Sequence, residues 1–136
     1  MNNATAVLLI AHGSRRSEAN DDLVHLAETL RAKQVYSVIE TAYLELAEPG
    51  IDAGAEKCIA QGADRVKLLP YFLSAGAHVT EDLERHRREL AGRFPKVMFE
   101  LCPPLGLHSL MVDIVMDRLR VGEVPHERSA SDESPA

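Results

Sequence analysis

The chain has 136 residues, enough for one domain around one core and too few for two ordinary ones. Hydrophobic residues make up 46% and aromatic residues 4%, with no Trp, so the core must be built from Leu, Val, Ile and Ala. The net charge of −6 argues against a general nucleic-acid or membrane-surface binder, and no apolar run approaches the roughly 20 residues of a membrane span.

Residues 6 to 11 are apolar throughout and predict a strand buried on both faces. That run stops abruptly at His12-Gly13-Ser14-Arg15-Arg16, a polar turn at the strand end where open α/β proteins place their chemistry. A helix is predicted from about Glu18 to Lys33, with Leu23, Leu26, Ala27 and Leu30 forming its apolar stripe and Glu28, Arg31 and Lys33 facing water. Val35 to Tyr43 predicts a second strand. Pro49 suits the first turn of a helix over about 50–61, with Ile51, Ala55, Cys58 and Ile59 inward and Gly62 ending it.

Arg65 to Leu69 predicts a third strand, stopped by Pro70, and the loop beyond it ends in Gly76-Ala77-His78. Thr80 to Arg93 predicts a third helix with Val79, Leu83, Leu90 and Phe94 on one side. Glu81 and Asp82 fall in its expected first turn, and Arg87, Arg88 and Arg93 further on, the order a helix dipole favours. Val97 to Leu101 predicts a fourth strand, broken by Pro103-Pro104. A last helix over about 107–120 would turn Leu107, Leu110, Met111, Ile114 and Val115 inward. From Gly122 the composition shifts to Pro, Ser, Glu and Asp, which predicts a disordered acidic tail over 122–136 behind a domain of residues 1–121.

Strand and helix alternate four times, which implies a single α/β domain: a four-stranded parallel sheet flanked by helices on both faces. The N terminus lacks the positive region of a signal peptide. Cys58 and Cys102 fall inside apolar patterns at a spacing that fits no zinc motif. Reduced, buried thiols in a cytoplasmic protein are the expectation.

Several α/β functions lack their motifs. Neither G-x-G-x-x-G nor the P-loop pattern occurs, so dinucleotide and P-loop binding are unsupported. G-x-S-x-G is missing, which counts against a serine hydrolase. A phospho-receiver would need acidic residues where His12 and Tyr71-Phe72 stand, and a histidine phosphatase would need Arg where Ala11 stands.

Three segments then resemble one family. These are Leu9-Ile10-Ala11-His12-Gly13-Ser14-Arg15; Ala42-Tyr43-Leu44-Glu45-Leu46-Ala47-Glu48-Pro49; and Leu69-Pro70-Tyr71-Phe72-Leu73-Ser74-Ala75-Gly76-Ala77-His78-Val79-Thr80-Glu81-Asp82. Together with Pro104-Leu105-Gly106-Leu107-His108 they resemble the small sirohydrochlorin chelatases, of the class II tetrapyrrole chelatases, over about residues 6 to 120. The resemblance implies a fold like half of a two-domain chelatase, with two copies pairing into a homodimer. It implies insertion of Co²⁺ into sirohydrochlorin on the route to cobalamin, with Fe²⁺ insertion for siroheme or Ni²⁺ insertion as alternatives. It also implies that His12 and His78 bind the metal, which is a substrate rather than a resident cofactor. A non-catalytic metal or tetrapyrrole carrier is the alternative of another class.

Those residue types suit the chemistry. Neutral imidazole is a good ligand for Co²⁺, Ni²⁺ and Fe²⁺, and two imidazoles completed by solvent bind reversibly, where a closed four-ligand site would trap the ion. Imidazole can also take up a proton near pH 6.5, but not while the same nitrogen holds a metal, so activity is expected to fall as pH drops. Glu45 follows the second strand and reads either as a proton acceptor or ion relay, or as a helix N-terminal carboxylate. A carboxylate-rich macrocycle calls for a locally positive mouth: Arg15 and Arg16 are the candidates, with Ser14 and the amides around Gly13 as further donors. Gly13 and Gly76 are expected to serve tight turns and close substrate approach.

Other residues have plainer readings. His108 either caps the last helix or acts directly, and His25, His86 and His126 are expected at the surface. Arg85-His86-Arg87-Arg88 reads as a solvated helix face ahead of a substrate clamp, although Arg15, Arg16, Lys67, Arg85, Arg87 and Arg88 would form a basic patch if they met in space. Tyr71, Phe72 and Leu73 are read as an apolar wall for the macrocycle or as a dimer contact.

Overall fold

Ala6 to Ile10 are buried without a gap, which makes β1 (Thr5–Ala11) the spine of a sheet covered on both faces. In a computed structural model that describes residues 4–106 and 108–123, the other strands are β2 (Val38–Tyr43), β3 (Arg65–Pro70) and β4 (Met98–Leu101). All pair in parallel, in the order β2-β1-β3-β4. Helices α1 (Ser17–Ala32), α2 (Ile51–Ala60), α3 (Ala77–Arg93) and α4 (Ser109–Glu123) alternate with them, as the four-fold alternation predicts.

The period-two alternation of a strand sorts the core into two layers. Ala6, Leu8 and Ile10 join Val66, Leu68 and Phe99 against Ile51, Ala55 and Cys58 of α2 and Leu83 and Leu90 of α3. Val7, Leu9, Ile39 and Tyr43 pack on the opposite face against Leu23 and Ala27 of α1. Each such Leu or Ile side chain contributes about 1.5–3 kcal/mol when fully buried. Gly54 lets α2 lie close on the sheet, since a β-carbon there would come within 2.8 Å of Leu8 Cδ1 and 3.0 Å of the Ala42 β-carbon.

Several boundaries move from their expected places. Pro70 belongs to β3 as its last residue, opposite Ile10, and its missing N–H leaves the β1–β3 ladder whole, because the Ile10 carbonyl accepts from the next residue, Tyr71 N–H (2.7 Å). Pro49 lies before α2 rather than in its first turn: Gly50 is the N-cap and the Glu48–Pro49 bond is cis. α3 begins at Ala77 behind a Gly76 N-cap, so His78 stands in its first turn, and Glu81 and Asp82 fall in the second. Arg31 faces outward as expected, yet its guanidinium returns to donate to the Ile39 carbonyl and ties α1 to β2.

The chain divides into two compact units at Gly106, and α4 belongs to the second. Leu110, Ile114 and Val115, expected inward, are 61%, 48% and 52% exposed. An apolar stripe is buried only where another surface covers it, and a helix alone supplies none. α4 runs on through Gly122 and Glu123, past the expected end of the domain. Leu107, His126 and the rest of the expected tail lie outside the described residues.

Candidate active site

The strand order fixes where the connections of the carboxyl edge part. Moving from β1 to β2 the chain steps to one side, and it then crosses over to place β3 on the other side of β1. The loop after β1 leads to α1 on one face, while the loop after β3 leads to α3 on the opposite face. Between the carboxyl ends of β1 and β3 the connections therefore part, and such a switch point is where open α/β sheets bind ligands. His12 sits one residue past β1, and His78 in the first turn of α3, at the end of the β3 loop.

Backbone bonds pin the loops of this edge together. Leu44 N–H donates to the Ala11 carbonyl (3.0 Å) and Glu45 N–H to the His12 carbonyl (3.1 Å), joining the loop of β2 to that of β1. Gly13, at φ +98°, lies so close to this junction that a β-carbon would meet the Glu45 carbonyl oxygen. On the other side, the His12 imidazole stacks on the Phe72 ring, with centroids 4.2 Å apart and planes 22° from parallel. Leu105 N–H in turn donates to the Phe72 carbonyl (3.0 Å).

Within the first loop, Asn20 takes a part that the sequence reading missed. Its side-chain oxygen accepts from Ser14 N–H (3.0 Å), its amide donates to the Ser14 carbonyl (2.8 Å), and its own carbonyl accepts from the Tyr43 hydroxyl (3.0 Å). Burial, helped by the charge of Asp21, pushes the Tyr43 phenol up, so it stays a donor. The Arg16 N–H donates to Ser14 Oγ (3.0 Å). The Ser14 and Arg16 amides are thus committed within the loop rather than turned to an anion, and Ser14 keeps only its hydroxyl hydrogen to offer. The side chain of a helix's fourth residue, reaching back to its entry loop, carries no distinctive spacing.

His12, His78 and Glu45 are all exposed, as are Arg15, Arg16 and Gly76. Among the described residues no hydrogen bond engages the His12 or His78 ring nitrogens or the Glu45 carboxylate. Glu45 lies five residues before the α2 N-cap, so the helix N-terminal reading fails for it; Asp52 fills that place. His78 opens onto a groove of about 630 Å³ lined with Thr80, Glu81, Asp82, Glu84, Arg85 and Arg88. His12 is not among its lining residues. No group of three His, Cys, Asp or Glu among the described residues is arranged to hold a metal ion.

The electrostatics of the edge follow from topology. α1, α2 and α3 each start at the carboxyl end of a strand, and none of their N-caps (Arg16, Gly50, Gly76) supplies a side-chain oxygen. Their positive ends therefore add to Arg15 and Arg16 in an otherwise acidic chain. The wider basic patch does not form. Arg85 pairs with Asp82 and Glu89, while Arg87 and Arg88 share Glu84, whose carboxyl the Arg87 hydrogen bond holds below its ordinary value, so these three arginines lie on an ion-paired helix face. Lys67 stands opposite Val7, far down the sheet from His12, and bonds Glu100 (2.7 Å).

The remaining histidines sort by contact. His108 Nδ1 accepts from the Leu110 N–H (3.0 Å), the capping arrangement. His25 is exposed on α1. His86 is not a surface residue: it is half-buried between α2 and α3, its Nδ1 3.6 Å from Asp52 and without a hydrogen bond.

The likeness to known proteins agrees with this layout. A sirohydrochlorin ferrochelatase of Arabidopsis thaliana, chloroplastic, is 36% identical over 117 residues, 86% of this chain and 52% of that protein. A sirohydrochlorin cobaltochelatase of Sulfolobus acidocaldarius is 30% identical over 112 residues, 82% of this chain and 87% of that protein. The sirohydrochlorin chelatase SirB from Bacillus subtilis subspecies spizizenii, solved in complex with cobalt, superposes with a TM-score of 0.80 at 31% identity, covering 86% of this chain and 50% of that one. The chain thus spans about half the length of the first relatives it matches. The CbiX family model matches residues 6–121, a span that holds the four strands but for Thr5 and every loop of the carboxyl edge, and the chain belongs to the CbiX family.

Proposed function

We propose that the chain is a sirohydrochlorin chelatase that inserts a divalent metal, Co²⁺ in the first instance, and releases two protons. The observation that carries this reading is that two exposed imidazoles, His12 in the loop after β1 and His78 in the first turn of α3, stand on the connections that part at the β1–β3 switch point. In this reading they take the ion from solvent as neutral ligands and release it to the macrocycle, since two donors completed by water hold it less firmly than a closed site. Glu45, joined through its backbone to His12, accepts protons from the pyrrole nitrogens. Arg15, Arg16, the Ser14 hydroxyl and the open approach at Gly76 receive the substrate carboxylates.

A homodimer completes the site in this reading. Relatives about twice as long support it, because a second copy supplies the wall that one small domain lacks for a broad flat substrate. Relatives carry both the cobalt and the iron names, and imidazole does not separate these ions; we place Co²⁺ ahead of Fe²⁺ and Ni²⁺ because the cobaltochelatase of Sulfolobus acidocaldarius matches this chain over 87% of its own length, while the ferrochelatase of Arabidopsis thaliana does so over 52%. Two free thiols suit a reducing compartment such as the cytoplasm. Among the described residues no helix is long and apolar enough to cross a membrane.

The test is steady-state absorbance of sirohydrochlorin with Co²⁺, Fe²⁺ and Ni²⁺ in turn, for the wild type and for His12→Ala and His78→Ala. Many turnovers with Co²⁺, falling at least about a hundredfold in either variant, are expected. A shift of no more than one equivalent per chain would make the protein a carrier, and full activity in both variants would remove the histidines from the chemistry.

A further inference from the structure

We propose that Phe72 is a positioning residue for His12: its buried ring fixes the plane of the exposed imidazole and so sets the direction from which a metal ion reaches it. This rests on the reading of His12 as a metal ligand. The contact is the face-to-face stack at 4.2 Å and 22°. An exposed histidine at a strand end has two free side-chain torsions and, among the described residues, no hydrogen bond to restrict them. The stack supplies the restriction without covering the donors. Imidazole lone pairs lie in the ring plane, so a neighbour on one face leaves both nitrogen edges open.

Phe72 is itself immobile enough to serve. It is 6% exposed and belongs to the core layer with Leu8, Ile10, Leu68 and Leu83. The bonds from Tyr71 N–H to the Ile10 carbonyl and from Leu105 N–H to the Phe72 carbonyl hold its backbone on both sides. Its neighbours in sequence, Tyr71 and Leu73, are exposed, so Phe72 alone of the three turns into the core and under His12. Six residues later the same segment delivers His78. One contact therefore fixes a first imidazole and registers the loop of the second against it. An outer partner that orients a ligating histidine is normally a hydrogen-bond acceptor; here a ring face takes that part.

The probe is Co²⁺ alone, titrated by its visible absorption into the wild type, Phe72→Leu, Phe72→Tyr, His12→Ala and the His12→Ala/Phe72→Leu double variant. Phe72→Leu is expected to weaken Co²⁺ binding about tenfold, and Phe72→Tyr, which keeps the flat ring, to stay within about threefold. In turnover, the KM for Co²⁺ should rise while that for sirohydrochlorin holds. In the His12→Ala background Phe72→Leu should add nothing, because the group it orients is gone. An equal loss in both backgrounds, or none in the wild type, overturns the proposal. Proton NMR keeps it testable if Phe72→Leu fails to fold: the His12 ring protons of the wild type should lie upfield of those of His78, which is exposed and unstacked, through the ring current of Phe72, and coincidence of the two sets overturns it. Neither the Co²⁺ titration nor the NMR needs chelation, so loss of the turnover reading leaves this inference separately decided.

Discussion

Gly13 and the Glu45 carbonyl oxygen occupy neighbouring space: a β-carbon on Gly13 would lie 1.8 Å from that oxygen. The approach exists because β1 and β2 are paired in register up to Ala11 and Tyr43, and the Glu45 N–H then donates to the His12 carbonyl. That oxygen belongs to a backbone segment pinned two residues past β2 by the Leu44 and Glu45 N–H bonds to the Ala11 and His12 carbonyls. Gly13→Ala, which also forces a side chain onto φ +98°, is expected to destabilise the fold by at least about 2 kcal/mol and to displace His12 from Glu45. Gly92→Ala and Gly122→Ala, helical positions where a β-carbon meets nothing within 4 Å, are the controls and should melt at or slightly above the wild type. Thermal unfolding of the three variants checks this.

Arg15 and Arg16 are exposed in the loop after β1, and neither forms an ion pair among the described residues. Replacing both with Gln should raise the KM for sirohydrochlorin about tenfold while Co²⁺ affinity changes less than twofold. Salt should raise the wild-type KM and leave that of the double variant nearly flat, because exposed charges are screened. Equal losses for metal and macrocycle would place these arginines in fold stability instead.

Glu100 accepts from Lys67 Nζ (2.7 Å) and Arg65 Nη1 (2.6 Å) across β3 and β4. The hydrogen bond from Lys67 and then the charges of both cations hold its carboxyl below the ordinary glutamate value. With the folded value depressed, the contribution to stability is present above the unfolded glutamate pKa, about 4.3, and is lost as pH falls through the folded one. The groups are partly exposed, so the effect is small. Glu100→Gln should melt slightly below the wild type at pH 7, and the two melting curves should converge in acid.

Cys58 is fully buried against the sheet, and burial, with Glu40 adding, pushes its thiol up to about 12. Cys102 is half-buried, and burial raises it less far. The thiolate is the reactive form. At pH 8 a maleimide should therefore label Cys102 first and reach Cys58 only on unfolding, as mass spectrometry of the Cys102→Ser variant would read directly. Cys58→Ser should cost about 1–3 kcal/mol, since a hydroxyl there needs a partner that the apolar layer does not hold.

Hydropathy and turn chemistry determined much of this protein. Ala6 to Ile10 form an unbroken apolar run because a central parallel strand is buried on both faces, and the abrupt end at His12 marks where that burial stops. The stripes Leu23/Ala27, Ile51/Ala55/Cys58 and Leu83/Leu90 were legible for the same reason: burial imposes a period. The expected start of α3 at Thr80 falls three residues late, because Gly76, whose backbone alone turns into the helix, carries no capping side chain to mark the true one. Tertiary structure alone decided what meets across the loops. The Phe72 stack, the Asn20 clasp and the Gly13–Glu45 approach join residues 60, 6 and 32 positions apart, and no local period encodes such distances. Exposure of α4 was equally hidden, because an apolar stripe states what a helix can bury, whereas burial requires a surface laid against it.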